Sequence, residues 1–290
     1  MRLSGIHKTT RLVISFELFP PKTPEGEARL FGRSIPQMLE LHPAFLTCTY
    51  GAGGSTREKT FEIITRIKRE FPVEAVTHLT CLGGTREEIR RFLDAMRENH
   101  VNNVVALRGD PPRGDTTFRP VPGGFQYAWQ LVAYIKELGG FDIAVAGYPE
   151  GHPECKDRCQ DWRHLAEKVA AGADVIFTQL FYDNGDFFAF RDYLRDKLHV
   201  QVPIVPGVLP ILSTAQIKRF CGLCGATLPP HVLEKLDAYA DDDKAAKQYG
   251  IDLATQMCDE LIRNGVDGIH FYTLNHPDST AAVMRNLRLA

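Results

Sequence analysis

Long hydrophobic runs are missing from this 290-residue sequence, and so is a strong excess of either charge. No apolar run approaches the roughly 20 residues that cross a bilayer, so a membrane-spanning helix is not expected. The formal net charge is -2 and no basic stripe stands out, which argues against nucleic-acid binding. We therefore expect neither a membrane nor a nucleic acid as partner.

A disulfide framework and a targeting segment are also lacking. The seven cysteines are an odd number in a long chain, which fits reduced thiols better than disulfides. The basic N-terminus and the apolar run from 12 to 19 resemble a signal peptide only briefly. That run contains Glu17, leads into Pro20-Pro21 and has no small-residue cleavage site. We expect a cytoplasmic protein.

Several binding and catalytic motifs are incomplete. The segment Gly51-Ala-Gly-Gly-Ser55 lacks the third glycine of a dinucleotide-binding loop, and no acidic residue ends the next strand. The sequence contains no GxxxxGK[ST] phosphate loop and no GxSxG nucleophile elbow. The pairs Cys155/Cys159 and Cys221/Cys224 lie in different structural units, so we expect no metal site.

What the sequence does contain is a regular alternation of strand-like and helical segments. Amphipathic helical patterns begin with capping signals such as Thr85-Arg-Glu-Glu88. No Pro-, Gly- or Ser-rich linker divides the chain, so residues 1–290 predict one (β/α)8 TIM barrel, with an open doubly wound sheet as the alternative. The predicted strands are Arg11–Phe19, Ala44–Tyr50, Glu74–Thr80, Val101–Leu107, Phe141–Ala146, Ala173–Gln179, Val202–Val205 and Gly268–Tyr272.

One irregular stretch precedes the last strand. Pro229-Pro230, a helical pattern over Val232–Tyr239 and the acidic run 241–243 predict a helical insertion before a longer helix, Lys244–Asn264. We interpret the acidic run as a helix start that the helix dipole stabilises, rather than as a metal site.

Polar residues lie in or just after seven of the eight predicted strands. In a TIM barrel the carboxyl ends of the strands form the active site, so these side chains predict a catalytic mouth. Glu17 is the most telling, because a carboxylate between aromatic residues is costly unless it is used or paired. By contrast, His78 alone is also typical of a core histidine, and Asp110 of a turn. The residues at strand ends include Glu17, Thr49, Tyr50, His78, Arg108, Asp110, Tyr148, His152, Gln179, Tyr272 and Asn275.

With these residues aligned, the chain closely resembles the methylenetetrahydrofolate reductase family from Ser15 to Asn275. The resemblance implies a TIM barrel that holds FAD at its mouth without a Rossmann fold, and a role in one-carbon and methionine metabolism. NAD(P)H and folate would use the same flavin face in turn. The motifs that carry it are SFELFPP (15–21), TYGA (49–52), HLTC (78–81), ALRGD (106–110), YPEGHPE (148–154), TQ (178–179), PGVLP (206–210) and HFYTLN (270–275).

The resemblance also assigns roles to residues. Glu17 matches the general acid that protonates a folate nitrogen, and Asp110 matches the acid beside the flavin pyrimidine and the folate pterin. Residues implied to contact FAD are Tyr50, His78, Arg108, Gly109, Asp110, Ala128, Tyr148, His152, Cys155, Asp161, His164 and Lys168. Residues implied to line the folate and nicotinamide site are Thr49, Gln179, Gln216, Phe220 and His276.

Two positions depart from the family pattern. His276 stands where the family usually has an arginine that helps to hold folate, and Glu167 where a basic FAD contact is common. The chain ends at Ala290, which implies the short form, without the C-terminal regulatory domain that binds adenosylmethionine. We expect a homo-oligomer. The alternatives are a flavin reduced by a partner protein, or a non-catalytic folate-binding barrel that presents methyl groups.

Overall fold

The computed structural model describes residues 1–50, 57–82, 84–110 and 120–289. In these ranges, nine strand segments form one sheet in which every pairing is parallel. The predicted loop of residues 51–56 lies outside the described part of the chain. The strands are β1 (Val13–Leu18), β2 (Phe45–Cys48), β3 (Glu74–Thr80), β4 (Asn103–Leu107), β5 (Asp142–Gly147), β6 (Val175–Thr178), β7 (Ile204–Val205), β8 (Gly207–Val208) and β9 (Gly268–Tyr272).

The sheet closes almost completely on itself. Its order is β7-β6-β5-β4-β3-β2-β1-β9-β8, so its two edge segments are neighbours in the chain. Pro206 separates them and has no backbone N–H to donate to a ladder. The predicted seventh strand, Val202–Val205, is observed as the shorter β7, and the segment β8 beyond this proline was not predicted. The predicted TIM barrel is confirmed.

Helices surround the barrel and follow the predicted order. The segment between β8 and β9 holds three of them, including the predicted insertion helix, which begins two residues earlier than expected. The helices are α1 (Leu3–Thr9), α2 (Pro24–Arg29), α3 (Ile35–Leu39), α4 (Arg57–Glu70), α5 (Arg86–Glu98), α6 (Ala128–Leu138), α7 (Arg158–Ala170), α8 (Asn184–Asp196), α9 (Thr214–Cys224), α10 (Pro230–Ala238), α11 (Asp243–Arg263) and α12 (Pro277–Asn286). A π-helical turn, Leu30–Ser34, joins α2 to α3.

Capping residues begin the helices where the sequence predicts. At the start of α5, the Thr85 hydroxyl accepts a bond from the Glu88 N–H, and the Glu88 carboxylate accepts one from the Thr85 N–H. At the start of α11, the Asp242 carboxylate accepts a 2.9 Å hydrogen bond from the Ala245 N–H. The acidic run thus serves as a helix start, as predicted.

Two apolar cores lie on opposite sides of the sheet. Inside the barrel, Phe45 and Phe177 stack with ring centroids 5.9 Å apart. Leu3 and Ile6 of α1 pack into the same inner core, so this helix covers the amino ends of the strands. The N–H of Leu3 donates to the Asn103 side chain at 2.9 Å, which anchors the helix there. The larger core lies between the strands and the outer helices.

None of the helices in the described ranges is long and apolar enough to cross a membrane.

Candidate active site

The candidate site is built from β1 and β9, which lie side by side although they are about 250 residues apart in the sequence. Their register pairs Ser15 with His270 and Glu17 with Tyr272. Side chains alternate between the two faces of a strand, and Val13 belongs to the inner core. Ser15 and Glu17 therefore point to the barrel interior, while Phe16 packs against the outer helices.

The Glu17 carboxylate lies between two imidazoles. Its Oε2 atom is 3.3 Å from Nε2 of His78 and 3.5 Å from Nε2 of His270. All three side chains are buried. On its other side, the His270 Nδ1 atom is hydrogen-bonded to the Ser15 hydroxyl at 2.8 Å, and its ring stacks on Phe177 with centroids 4.7 Å apart. The position of His270 is thus set by contacts on three sides.

Burial controls the protonation of His78. It lowers the pKa of His78 to about 4, although the nearby Glu17 charge acts in the opposite direction. The imidazole is therefore neutral at pH 7. Its Nε2 atom is within reach of Glu17, but the direction of approach does not suit a hydrogen bond, and no other partner for it exists in the described ranges. This buried polar atom is left available to a ligand.

A second group of predicted residues meets beyond the ends of β4 and β5. The Arg108 guanidinium makes a bidentate pair with Glu154, with both N–O distances 2.7 Å. The rings of Tyr148 and His152 are in edge contact, with centroids 4.7 Å apart. Burial raises the pKa of the Tyr148 hydroxyl, and the charges of Asp110 and Asp161 raise it further. Tyr148 therefore acts as a neutral hydrogen-bonding group at physiological pH.

Helix α7 adds two more predicted residues to this group. Asp161 accepts a 3.1 Å bond from the His152 N–H, and the Lys168 ammonium donates to the Ala146 carbonyl at 2.6 Å. Burial lowers the pKa of Lys168 to about 8, against the effect of Asp161, so it is still mainly cationic at pH 7. The helix can pack this close because Gly147 ends β5. A Cβ atom there would lie 2.8 Å from the Leu165 side chain.

The remaining predicted residues are distributed around the same mouth. Cys155 donates its thiol to the Asp157 carbonyl, and the exposed His164 contacts Gln160 and Glu167, so both have local partners of their own. Phe220 is partly buried against the outer core, and its predicted stacking role stays a prediction. Thr49 and Tyr50 follow β2, Gly109 and Asp110 follow β4, Ala128 begins α6, Gln179 follows β6, Gln216 and Phe220 lie on α9, and His276 precedes α12.

Sequence reasoning missed two residues at the seam of the barrel, His270 and Thr178. The Thr178 hydroxyl accepts a hydrogen bond from the Gly207 N–H. The Thr178 carbonyl accepts one at 2.6 Å from the hydroxyl of Tyr272, which the sequence had placed at the end of the last strand. The alternation in Gly268-Ile-His-Phe-Tyr272 was the available signal. With Ile269 and Phe271 in the outer core, His270 and Tyr272 must point inward.

The chemistry of this site is that of acid–base groups and hydrogen-bond donors. In the part of the chain that the structure describes, no group of three His, Cys, Asp or Glu side chains is arranged to hold a metal ion. All seven cysteines are free thiols. A buried carboxyl group can donate a proton to a ligand. The cations and aromatic rings that line the mouth beside it can hold an anionic, aromatic cofactor.

Comparison with known proteins identifies similar sequences over nearly the whole chain. The family model described as methylenetetrahydrofolate reductase matches residues 2–288. Methylenetetrahydrofolate reductase (NADH) 1 of Arabidopsis thaliana is 39% identical over 299 residues, covering 99% of this chain but 50% of the relative. The 5,10-methylenetetrahydrofolate reductase of Escherichia coli K12 is 38% identical, covering 94% of this chain and 90% of the relative. The chain thus spans about half the length of its plant relatives.

A solved structure shares the fold. It is an uncharacterized protein from Clostridium thermocellum whose description states that it binds two copies of 5-methyl-5,6,7,8-tetrahydrofolic acid. The TM-score is 0.67 at 13% sequence identity, over 98% of this chain and 97% of that one. This likeness supports the barrel architecture.

Proposed function

The chain belongs to the methylenetetrahydrofolate reductase family, and from this we propose that it reduces 5,10-methylenetetrahydrofolate to 5-methyltetrahydrofolate. The electrons come from NADH through bound FAD; the names of the plant relatives specify NADH as the donor. The observation that carries the proposal is the Glu17 carboxyl, buried at the mouth of the barrel between two imidazoles. A folate-binding protein without catalysis has no need of a buried acid there.

The residues at the mouth fit FAD. The Nε2 atom of His78 is buried without a hydrogen-bond partner in the described ranges, and FAD offers polar ring atoms that can supply one. Lys168 and Arg108 are cations suited to phosphate oxygens. FAD supplies hydride transfer when bound. We propose that it is held by Tyr50, His78, Arg108, Gly109, Asp110, Ala128, Tyr148, His152, Cys155, Asp161, His164 and Lys168.

Glu17 is the proposed general acid. Its proton passes to a nitrogen of the methylene bridge of folate, which opens the bridge to an electrophilic iminium that accepts hydride at the one-carbon unit. His78 does not compete for this proton at neutral pH, because burial leaves its pKa near 4. The Asp110 carboxylate at the end of β4 would stabilise the cationic folate by its negative charge.

The substrate would lie between the ends of several strands. We propose that Thr49, Gln179, Gln216, Phe220 and His276 line its site, with Phe220 stacking on the pterin or the nicotinamide ring in turn. Stacking of an aromatic ring on such a planar group is favourable in free energy, and a phenylalanine side chain loses little conformational entropy when it is held there.

The test is an absorption spectrum of the purified protein followed by anaerobic addition of NADH and then of methylenetetrahydrofolate. We expect a flavin spectrum that bleaches with NADH and recovers with the folate. A flavin that neither NADH nor NADPH reduces would favour electron delivery by a partner protein. A colourless protein that FAD cannot reconstitute would overturn the flavoenzyme proposal and favour a folate-binding barrel.

A further inference from the structure

The loop of residues 148–154, which follows β5, makes two contacts with the end of α9. Both oxygens of the Glu150 carboxylate accept from the Thr227 N–H, at 3.0 and 3.1 Å. Gly225, which ends α9 in the left-handed region at φ 78°, lies against Pro153. A Cβ atom on Gly225 would be 2.5 Å from the Pro153 side chain. The loop and the helix end are thus fastened together although they are far apart in the sequence.

This contact links two sets of proposed site residues. The loop carries Tyr148 and His152, which we propose to hold FAD, and α9 carries Phe220, which we propose to stack on the substrate rings. A small cavity lies between the loop and the helix end, and Gln179 also lines it. Phe220 precedes the last residue of α9 by four positions, which is about 6 Å along the helix axis. A shift of the helix end would therefore shift Phe220.

The two ends of α9 are held by different partners. At its start, close to Gln216, the Thr214 hydroxyl donates to the Leu236 carbonyl of α10 at 2.9 Å. At its far end, the segment that leaves α9 is tied to the barrel loop through Glu150. Loss of the Glu150 carboxylate would therefore leave Gln216 in place and release the end of the helix that carries Phe220.

Glu150 is partly buried in an acidic neighbourhood. Burial raises the pKa of its carboxyl group, the hydrogen bonds from Thr227 act against this, and nearby carboxylates raise it further. Arg158 offsets part of their charge, since it pairs with Asp186 at 3.7 Å. The titratable groups that face Glu150 from neighbouring elements are Asp183, Asp186, Cys221 and Cys224. Glu150 therefore takes up a proton at a higher pH than an ordinary glutamate, and the neutral group is a weaker acceptor.

We propose that Glu150 is a positioning residue, which holds α9 against the 148–154 loop and so keeps Phe220 in place beside the flavin site. The inference rests on the proposed function, since that function gives Phe220 a role in binding both folate and NADH. Glu150 acts on the helix and not on the proton donor Glu17. Its loss should therefore weaken the binding of both substrates and leave the chemical step intact.

The experiment measures kcat and the KM values for methylenetetrahydrofolate and NADH on the flavin-loaded enzyme. Glu150→Ala should raise both KM values by about 3- to 10-fold, the range for a hydrogen bond that solvent partly replaces, with kcat changed by less than about 2-fold. Glu150→Gln keeps an acceptor oxygen and should restore most of the affinity. Glu234 is exposed on α10, so Glu234→Ala is the matched control and should behave as the wild type.

Two further readouts separate positioning from a merely structural role, which would lower the fraction of active enzyme and hence kcat. In a Phe220→Leu background, Glu150→Ala should have little further effect on either KM, because both changes act on the same contact with the substrate. The wild-type KM values should also rise as the pH falls from 7 to 5, and more steeply than those of Glu150→Gln, whose amide does not titrate.

The positioning role would be overturned by unchanged KM values in Glu150→Ala, by a Glu150→Gln variant as impaired as Glu150→Ala, by additive effects of Glu150→Ala and Phe220→Leu, or by the same pH dependence in the wild type and Glu150→Gln. Each of these results would leave the reductase proposal intact. A wild-type enzyme that reduces no folate would overturn both proposals.

Discussion

The Nε2 atom of His78 lies 3.3 Å from the Oε2 atom of Glu17, and both side chains are buried. A close carboxylate usually raises the pKa of a histidine, yet here burial outweighs it and lowers the pKa to about 4. The imidazole is therefore neutral at physiological pH. This relationship leaves an uncharged ring beside the carboxyl group that we propose as the general acid.

The first prediction concerns Glu17→Gln. This variant keeps the shape of the side chain but cannot act as an acid. Reduction of methylenetetrahydrofolate should fall by about 10²–10⁴-fold, the usual contribution of a general acid, while flavin binding and reduction by NADH are retained. Stopped-flow absorbance of each half-reaction separates the two. Exposed Glu40→Gln serves as control and should leave both rates unchanged.

The acid role would be contradicted if Glu17→Gln slowed the reduction of the flavin by NADH and slowed folate reduction by no more than the same factor. That result would assign Glu17 to the binding of the flavin instead.

The second prediction concerns pH and His78. Its folded pKa of about 4 lies below the unfolded value of about 6.5, so the unfolded chain binds the extra proton between these values. Its contribution to stability is complete above about pH 6.5 and is lost as the pH falls towards 4, by about 3 kcal/mol in all. Urea unfolding from pH 7 to pH 4.5 should show a shallower pH dependence for His78→Gln than for the wild type.

Exposed His231→Gln should keep the wild-type pH dependence. Identical slopes for the wild type and His78→Gln would show that the imidazole titrates normally in the folded state.

The third prediction concerns Lys168→Met. If Lys168 holds an anionic part of FAD, its loss should weaken FAD binding by about 10- to 100-fold, as for other charge-assisted hydrogen bonds. Because burial lowers its pKa to about 8, wild-type affinity should decline as the pH rises through about 8, and the variant should not show this decline. FAD titration followed by flavin fluorescence measures both. Lys197 is exposed, so Lys197→Met serves as the control and should match the wild type at every pH. Wild-type FAD affinity in Lys168→Met would exclude the contact between Lys168 and FAD.

The fourth prediction concerns the seam of the barrel. A Cβ atom on Gly207 would lie 2.3 Å from the Thr178 carbonyl and 2.6 Å from the Tyr272 ring. Gly207→Ala should therefore destabilise the protein by about 1–3 kcal/mol or more in urea unfolding. Gly222→Ala in α9, where no atom lies within 4 Å of the added carbon, should instead stabilise it by about 0.5–1 kcal/mol. Equal stability of the two variants would mean that the seam relaxes freely.

Much of the candidate site follows from the sequence because parallel strands bring their carboxyl ends to one face. Arg108 and Tyr148 were predicted at strand ends, and they do meet beyond β4 and β5. His270 was overlooked as a site residue, since nothing local shows that it lies beside Glu17, 253 residues away. Cys155 and His164 were expected at the cofactor, and only the folded chain reveals their local partners.

By itself the sequence determined the alternation of strands and helices, the capped helix starts and the polar strand ends. These features depend on side-chain periodicity and on contacts within three or four residues. Tertiary structure alone decided the break at Pro206, the covering of the barrel by α1 and the neutral state of His78. Each of these depends on which distant segments pack together, and the cost of burying a charge is a sum over all of those neighbours.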